Sequence, residues 1–320
     1  MFHKSLKIGA AATAFGLLVT GCSNGSDEGW ASEKIEMLVP YGPGGTPDLL
    51  ARGVSQGLTD EYGTNVTVTN RAGAAGTIAI NETVTAHPDG TTIALATSNS
   101  VLWQPVLDDS LKYTQETGYT AVAKAGASPF SIIIGENSPW ESLKDFIDDA
   151  NAGEHIKIAV TGAGAQTDLT VDFLNQQNNW NLESVPFSDG AGEGLLATMR
   201  GEADALLSTT AGVQGQIDSG DARVLAVIAD EPEPLNPDAS TFADFDLQIP
   251  MATTFYVIVS DEAEDSTVEE MADAVEEVVL SDEWDEYLEE NGLVPGTALG
   301  YEDTQEEISD LIEEYSTLEH

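Results

Sequence analysis

The chain has 320 residues, of which 41% are hydrophobic and 21% are charged. That length suits two domains of about 150 residues each, and the apolar fraction is too high for an intrinsically disordered chain. Only 11 lysines and arginines stand against 56 aspartates and glutamates, which gives a formal net charge of −45. Nucleic acids and anionic lipid surfaces repel such a chain, so nucleic-acid binding is excluded.

The spread of carboxylates along the chain predicts the solvent in which the protein works. At about 1 M salt the Debye length falls to about 3 Å, which screens the repulsion between surface carboxylates. We therefore predict a halophilic source. Cation binding by the acidic C-terminal region is the alternative, although the sequence has no spaced Asp/Asn loop of the calcium-binding type.

The N-terminus predicts a secretory signal. Lys4 and Lys7 precede an apolar run at 8–20, which is too short to span a membrane. Small residues then lead to Cys22, the only cysteine of the chain, so no intrachain disulfide is possible. Small residues directly before a cysteine resemble a bacterial lipobox, in which the cysteine becomes the lipidated first residue of the mature protein.

These features divide the N-terminal region into two predicted parts. We predict a lipoprotein signal peptide at 1–21 and a flexible tether at 22–33, with lipidation at Cys22. The protein is then extracytoplasmic and anchored to the outer face of the cell membrane. The alternative is an ordinary signal peptide followed by a chance cysteine.

From residue 34 onwards, predicted strands and helices alternate. A strand at 35–40 is followed by a helix that opens at Thr46, because threonine caps helices and proline is favoured at the first helical position. The next elements of this series are strands at 65–70, 92–97 and 130–134 and a helix at 79–86. Leu50, Val54 and Leu58 have the spacing of the buried face of the first helix.

A second series begins near residue 138 and has the same alternation. Its predicted elements are helices at 140–150, 169–177 and 194–200 and strands at 156–160, 205–208 and 224–229. A strand at 254–259 and three acidic helices follow, the first with a capping box at Ser266 and Glu269. The pattern predicts an α/β protein with one lobe at 34–135 plus 246–320 and a second lobe at 136–245.

The sharpest motif follows the first predicted strand. A glycine-rich loop ends there at a helix N-terminus, whose free N–H groups and dipole suit an anion. The spacing fits neither a dinucleotide fingerprint nor a phosphate-binding P-loop. A tight turn that uses its glycines only for conformation is the alternative. The candidate ligand-binding residues of this loop are Tyr41, Gly44, Gly45, Thr46 and Asp48, of which Asp48 is expected to cap the helix.

The second series repeats this arrangement after its strand at 156–160. Two such loops, one in each predicted lobe, are expected to face each other across a cleft that holds an anion. The candidates in the second loop are Thr161, Gly164, Ala165 and Gln166. Ser98 and Asn99, at the end of another strand, are secondary candidates. Phe255 could line a pocket, but we expect it in a core.

Several motifs, in order along the chain from about residue 34 to the C-terminus, resemble the extracytoplasmic solute receptors of tripartite tricarboxylate transporters. The motifs are Val39-Pro40-Tyr41-Gly42-Pro43-Gly44-Gly45-Thr46-Pro47-Asp48, Asn70-Arg71-Ala72-Gly73-Ala74-Ala75-Gly76, Pro88-Asp89-Gly90, Thr161-Gly162-Ala163-Gly164, Val185-Pro186-Phe187 with Gly190, and Gly201-Glu202-Ala203-Asp204. The sequence departs from the family pattern at Ala75, where the family usually has glycine.

The resemblance implies a fold and a function. The implied fold is a two-lobed, periplasmic-binding-protein-like (type II) fold, in which each lobe is a mostly parallel sheet flanked by helices and the ligand cleft lies between the lobes. The implied function is capture of a small carboxylate by backbone amides and its delivery to the large and small membrane subunits of a transporter. We expect a monomer without a cofactor or metal.

Two other functions remain open at this stage. A hydrolase of an unrecognised family would have to use His87, His155 or His320, but the sequence has no Gly-x-Ser-x-Gly elbow and no zinc-ligand spacing. A structural lipoprotein would have no ligand in its cleft. The resemblance favours a binding protein over an enzyme.

The net charge yields the first testable prediction. The melting temperature should rise as salt increases from about 0.05 M to about 1 M, because screening removes repulsion between carboxylates. Each kcal/mol gained should raise it by about 2–4 °C. Differential scanning calorimetry in sodium chloride measures the effect, and choline chloride at equal ionic strength should act alike. A melting temperature independent of salt would contradict the prediction.

Overall fold

The structure is a computed structural model that describes residues 29–187, 190–247 and 252–316. The predicted signal peptide, Cys22 and most of the predicted tether lie outside the described residues. Within those three ranges, no helix is long and apolar enough to cross a membrane.

The described residues form eleven strands and ten α-helices. The strands are β1 Lys34–Val39, β2 Asn65–Asn70, β3 Thr92–Thr97, β4 Tyr119–Ser128, β5 Phe130–Gly135, β6 Ile156–Val160, β7 Leu182–Pro186, β8 Ala205–Ser208, β9 Ala222–Ile228, β10 Ser240–Thr241 and β11 Thr253–Ser260. The helices are α1 Thr46–Tyr62, α2 Thr77–Val84, α3 Gln104–Leu107, α4 Leu143–Asn151, α5 Gln166–Asn178, α6 Ala191–Met199, α7 Gln214–Asp218, α8 Asp265–Val279, α9 Asp282–Glu290 and α10 Tyr301–Ser316.

The strands form two sheets, one in each lobe. The sheet of lobe 1 has the order β2-β1-β3-β11-β4, and that of lobe 2 has the order β10-β9-β5-β8-β6-β7. In lobe 1, β11 runs in the opposite direction to the other four strands. In lobe 2, β5 runs in the opposite direction to the other five. The predicted α/β fold with two mostly parallel sheets flanked by helices is confirmed.

Each lobe has its own apolar core on both faces of its sheet. Lobe 1 buries Leu50, Val54 and Leu58 of α1, as their spacing predicted, against β1, β3 and α8. Lobe 2 packs α4 on its sheet through Phe146, whose ring makes edge contacts with Trp140 and Trp180. Because both lobes are packed independently, the space between them can serve as a cleft.

The first crossover between the lobes lies earlier than predicted. The predicted boundary placed the strand at 130–134 in lobe 1, but β5 pairs with β8 and β9 of lobe 2. The chain therefore crosses at Pro129, between β4 and β5. The alanine-rich β4, with the sequence YTAVAKAGAS, was not predicted, because alanine favours helix and is depleted in strands.

Two further expectations need correction. The tether does not extend to residue 33, because Trp30 is buried in lobe 1 and its indole N–H donates to the carbonyl of Gly90 at 2.6 Å. The capping box at Ser266 is wrong, because α8 begins at Asp265 and its N-cap is Glu264, which makes no side-chain cap. A capping box occurs instead at Ser142 and Asp145, at the start of α4.

Candidate ligand-binding cleft

A cavity of about 180 Å³ lies between the two lobes. Lobe 1 contributes Tyr41, Gly42, Pro43, Gly44, Gly45, Thr46, Pro47, Thr97, Asn99, Thr253 and Phe255, and lobe 2 contributes Phe130, Thr161, Gln166, Thr167, Gly190, Ala191, Gly192, Ser208, Thr209 and Gly212. Among the described residues, no Asp, Glu, Lys, Arg or His side chain lines it. The described residues thus offer a ligand backbone groups, hydroxyls, amides and aromatic rings.

The first glycine-rich loop is held by Asp48, in the first turn of α1. Its carboxylate accepts the N–H of Gly44 at 2.9 Å, the Asn70 amide at 3.1 Å and two bonds from the Arg52 guanidinium, each at 2.9 Å. Burial raises the pKa of Asp48, but these donors outweigh it and hold the pKa below its ordinary value. Asp48 does not line the cavity, and its hydrogen bonds fix the loop.

The second loop is built in the same way. The N–H of Gly164 donates to the carboxylate of Asp168 at 2.8 Å, four residues further along, as Gly44 does to Asp48. Both glycines have a positive φ, 84° at Gly44 and 70° at Gly164, a conformation that disfavours side chains. The N–H groups of these two candidate residues are thus used within the loops.

The N-termini of α1 and α5, which directly follow the two loops, provide backbone N–H donors at the cavity. Gly45 and Ala165 are the N-caps of α1 and α5, and the first residues of both helices, Thr46 and Gln166, line the cavity. The first N–H groups of a helix have no intrahelical acceptor, and the helix dipole makes this end positive. An anion between the two lobes therefore meets two positive helix ends.

A third helix start, which the sequence-based candidates do not include, also lines the cavity. Gly190 is the N-cap of α6, and Gly190, Ala191 and Gly192 border the cleft. The signal was present, because a Gly-x-Gly sequence follows a strand there as well. It was missed because the strand before it, β7, was not predicted.

The structure brings together most of the predicted site residues. The cavity is lined by Tyr41, Gly44, Gly45, Thr46, Asn99, Thr161 and Gln166. Four predicted residues do not line it: Asp48, Ser98, Gly164 and Ala165. Phe255, expected in a core, is 1% exposed and also lines the cavity, so both interpretations hold.

Several of these residues join the two lobes directly. The hydroxyls of Thr46 and Thr209 lie 2.7 Å apart, and the Ser98 hydroxyl donates to Gln166 at 3.2 Å. The amide of Gln104 donates to the carbonyl of Gly164 at 2.7 Å. Ser98 and Gly164 thus make contacts between the lobes. The two lobes are therefore in direct contact beside the cavity.

A buried carboxyl supports the cleft from behind. Glu233 is 1% exposed, and its two oxygens accept hydrogen bonds from the hydroxyls of Ser131 and Thr210. Burial raises the pKa of Glu233, whereas these hydroxyls and Asn236 lower it, and the net shift is upward. Thr210 directly follows Ser208 and Thr209, which line the cavity. Glu233 therefore helps to position this part of the cavity wall.

Of the three histidines available to a hydrolase, His320 lies outside the described residues and the other two lie away from the cavity. His87 and His155 are paired with Asp89 and Glu183 on the surface, and neither lines the cavity. In the three described ranges, no group of three or more His, Cys, Asp or Glu side chains is arranged to hold a metal ion.

Comparison with known proteins gives a family match over most of the chain. Residues 50–317 match the model of the family described as "Tripartite tricarboxylate transporter family receptor". Among curated proteins, a UPF0065 protein from Bordetella pertussis is 24% identical over 283 residues, which cover 87% of this chain and 86% of that protein. Protein BugT from the same organism is 26% identical over 76% of this chain and 75% of its own length.

Solved structures have the same fold. MatC from Rhodopseudomonas palustris with bound malate superimposes with a TM-score of 0.75 and 22% identity, covering 88% of this chain and 98% of that chain. Rpa4515 from R. palustris with adipate gives a TM-score of 0.81 and 22% identity, covering 88% of this chain and 95% of that chain. At these identities the comparison concerns the fold alone.

The Asp48 contacts lead to a prediction on stability. Asp48→Asn should lower the free energy of unfolding at pH 7 by about 1.5–3 kcal/mol, because hydrogen bonds to a charged group are lost. The pKa of Asp48 is lower in the folded protein, so its contribution is complete above the unfolded pKa of about 3.9 and is lost as pH falls through the folded value. The difference between wild type and variant should therefore narrow below about pH 4.

Chemical denaturation at constant high salt measures this difference. Asp60→Asn is the matched control, because Asp60 is an exposed residue of the same helix and the substitution removes the same charge. Its effect should stay within about 0.5 kcal/mol. Equal effects of the two substitutions would contradict the role assigned to Asp48.

Proposed function

The chain belongs to the tripartite tricarboxylate transporter receptor family, and we propose that it is a solute-binding protein that captures a small carboxylate outside the cytoplasm. We further propose that it delivers this ligand to the large and small membrane subunits of a tripartite tricarboxylate-type transporter. The observation that carries the proposal is the cavity between the lobes, where three helix N-termini meet and no charged side chain of the described residues is present.

This arrangement suits an anion in an acidic protein. The net charge of −45 repels anions at long range. Arg71 lies near the first loop in sequence, but it does not line the cavity and forms ion pairs with Glu82 and Glu36. Clustered N–H groups and helix dipoles attract a carboxylate locally and add no formal charge. Two of the similar solved structures hold malate and adipate, which agrees with a carboxylate ligand.

We propose that capture depends on closure of the lobes about their two crossovers. One crossover is Pro129, and the other lies between β10 and β11. A ligand that contacts both lobes favours the closed form by its differential affinity for that form. The contact of Thr46 with Thr209 and that of Ser98 with Gln166 would form in the same movement.

The remaining parts of the proposal concern where the protein works. We propose that a signal peptide directs export and that lipidated Cys22 anchors a monomer to the membrane. A single acyl chain binds membranes only weakly, so the anchor requires two or three chains. The acidic surface fits a halophilic source.

A ligand screen tests the proposed function. A carboxylate present at about 100 times its dissociation constant should stabilise the protein by about 2.7 kcal/mol, seen as a rise in melting temperature. The panel comprises propionate, lactate, succinate, malate, aspartate, glutarate, 2-hydroxyglutarate, glutamate, adipate, citrate and benzoate. The uncharged amide of each ligand found is its control and should give no shift.

Two outcomes would overturn the proposed function. The absence of any shift across the panel would contradict carboxylate binding. Conversion of a bound compound, followed by proton NMR, would favour a hydrolase over a receptor.

The packing of Gly212 provides a test of closure. A Cβ at this position would lie 3.0 Å from Cα of Gly45 and 3.1 Å from the carbonyl oxygen of Gly44, both backbone atoms of the opposite lobe. Gly212→Ala should therefore hold the lobes apart and weaken binding of a carboxylate found in the screen by about tenfold, equivalent to about 1.4 kcal/mol.

Gly215→Ala is the matched control, because a Cβ there meets nothing within 4 Å. It should leave the dissociation constant within about twofold, as expected for a surface substitution. Isothermal titration calorimetry compares the two variants. Unchanged affinity in Gly212→Ala would show that binding does not need this contact between the lobes.

A further inference from the structure

Glu233 is a buried carboxyl at a point where three segments of lobe 2 meet. It is 1% exposed and lies in the loop 229–239, between β9 and β10. Its two oxygens are hydrogen-bonded to the hydroxyls of Ser131 and Thr210, which are themselves fully buried. Ser131 lies in β5, two residues after the crossover at Pro129. The carboxyl therefore joins its own loop to the strand that enters lobe 2 and to the segment that follows β8.

The segment 209–212, which follows β8, contacts the first glycine-rich loop of lobe 1. The hydroxyls of Thr209 and Thr46 lie 2.7 Å apart, and the Gly212 contact described above is with the same loop. Thr210 lies between these two contacts. Its hydrogen bond to the carboxyl thus supports the part of lobe 2 that touches lobe 1.

The loop that carries Glu233 also packs against lobe 1. A Cβ at Gly292, in the turn after α9, would lie 3.1 Å from Cδ1 of Leu235 and 3.7 Å from Oγ1 of Thr210. Lobe 1 thus contacts both of the segments that enclose the carboxyl. Contact between the lobes restrains these segments around the carboxyl, and separation of the lobes removes that restraint.

Among the described residues, the elements that enclose this carboxyl carry no lysine, arginine or histidine. They surround it with the two hydroxyls, with apolar side chains of β5 and with the amide of Asn236. The titratable groups on these elements are acidic and exposed, namely Asp230, Glu231 and Asp238 in the loop and Glu289 and Glu290 at the end of α9. Burial raises the pKa of Glu233 and the three polar side chains lower it, with a net upward shift. A buried charge without a cation is unfavourable, so this site favours the neutral acid.

We propose that Glu233 is a positioning residue that, as a neutral acid, holds the segment 209–212 in place for closure of the lobes. The acid donates its proton to one of the two hydroxyls and accepts from the other, because a hydroxyl can both donate and accept. Loss of the proton to solvent leaves a buried charge, which favours movement of the loop 229–239 until water reaches the carboxylate. The segment that touches lobe 1 then loses its support. This inference rests on the proposed closure and adds a proton to it.

Stability without ligand tests the protonation state of Glu233. Its pKa is higher in the folded protein than its ordinary value of 4.5, so the carboxyl opposes folding as pH rises above that value. Glu233→Gln has the same shape and no charge. Its melting temperature should exceed that of wild type by at least about 2 °C at about pH 8 for each pKa unit of elevation, and the excess should disappear near pH 4.

Glu231→Gln is the matched control, because Glu231 is an exposed acid of the same loop and the substitution removes the same charge. At constant high salt its melting temperature should stay within about 1 °C of wild type at each pH. A Glu233→Gln variant that is less stable than wild type at about pH 8 would overturn the inference, because the carboxylate would then be the stabilising form.

Ligand binding tests the link to closure. Closed lobes keep the carboxyl away from water, so the closed form holds the proton more tightly than the open form, and affinity falls as pH rises. The probes are succinate, malate, glutamate and adipate from the panel above. Between about pH 6.5 and 8.5, the dissociation constant of a probe that binds should rise by at least about threefold in wild type and stay within about 1.5-fold in Glu233→Gln.

Calorimetry in phosphate and in Tris gives a second measurement that needs no variant. The two buffers differ in enthalpy of ionisation, so the difference between the two binding enthalpies counts the protons that the protein takes up with the probe. Wild type should take up part of a proton, and Glu233→Gln should take up none. The wild-type measurement decides the question even if Glu233→Gln does not fold.

The outcomes separate the two proposals. If a probe binds with no proton uptake and with an affinity that does not change with pH, this inference is overturned, whereas carboxylate binding stands. If neither the probes nor the other acids of the panel bind, the proposed function fails, and this inference fails with it whatever the melting temperatures are.

Discussion

The constraint on which this structure depends is electrostatic: the net charge repels an anion at long range, so any attraction to it must come from groups that act at short range. A chain of net charge −45 repels the carboxylate that its family is described as transporting, and a basic side chain in the cleft would attract surrounding acids as well as the ligand. The ends of α1, α5 and α6 avoid this difficulty, because their N–H groups act over a few ångströms and carry no formal charge. The cavity is attractive to an anion only where these ends converge.

The ends of α1 and α5 can converge on the cavity only if the loops before them are rigid. The aspartate that follows each loop provides this rigidity. Asp48 and Asp168 each accept the N–H of a glycine four residues earlier, so the same device occurs in both lobes. A carboxylate so near an anion site would be unfavourable if it faced the ligand. The guanidinium of Arg52 and the amide of Asn70 occupy the remaining lone pairs of Asp48 and turn its charge away from the cavity.

Local signals were sufficient for most of the fold. The strands at 65–70, 92–97 and 156–160 occur as predicted, and α1 begins at Thr46, because strand patterning and helix starts are written in neighbouring residues. Sequence reasoning failed at β4, where alanine opposes strand formation and pairing with the distant β11 along its whole length stabilises the strand. It also failed at β5, whose lobe is decided by its pairing with strands more than seventy residues away in sequence.

The sequence by itself determined the two-lobed α/β architecture, the family and the two glycine-rich loops, since each is encoded in a short segment. Only the tertiary structure decided which residues line the cavity. The N–H groups of Gly44 and Gly164 donate to aspartates that follow their own loops. The start of α6 lies at the cleft. The carboxyl of Glu233 is buried between β5 and the segment that follows β8. These properties arise from contacts between segments distant in the chain, which local patterns do not specify.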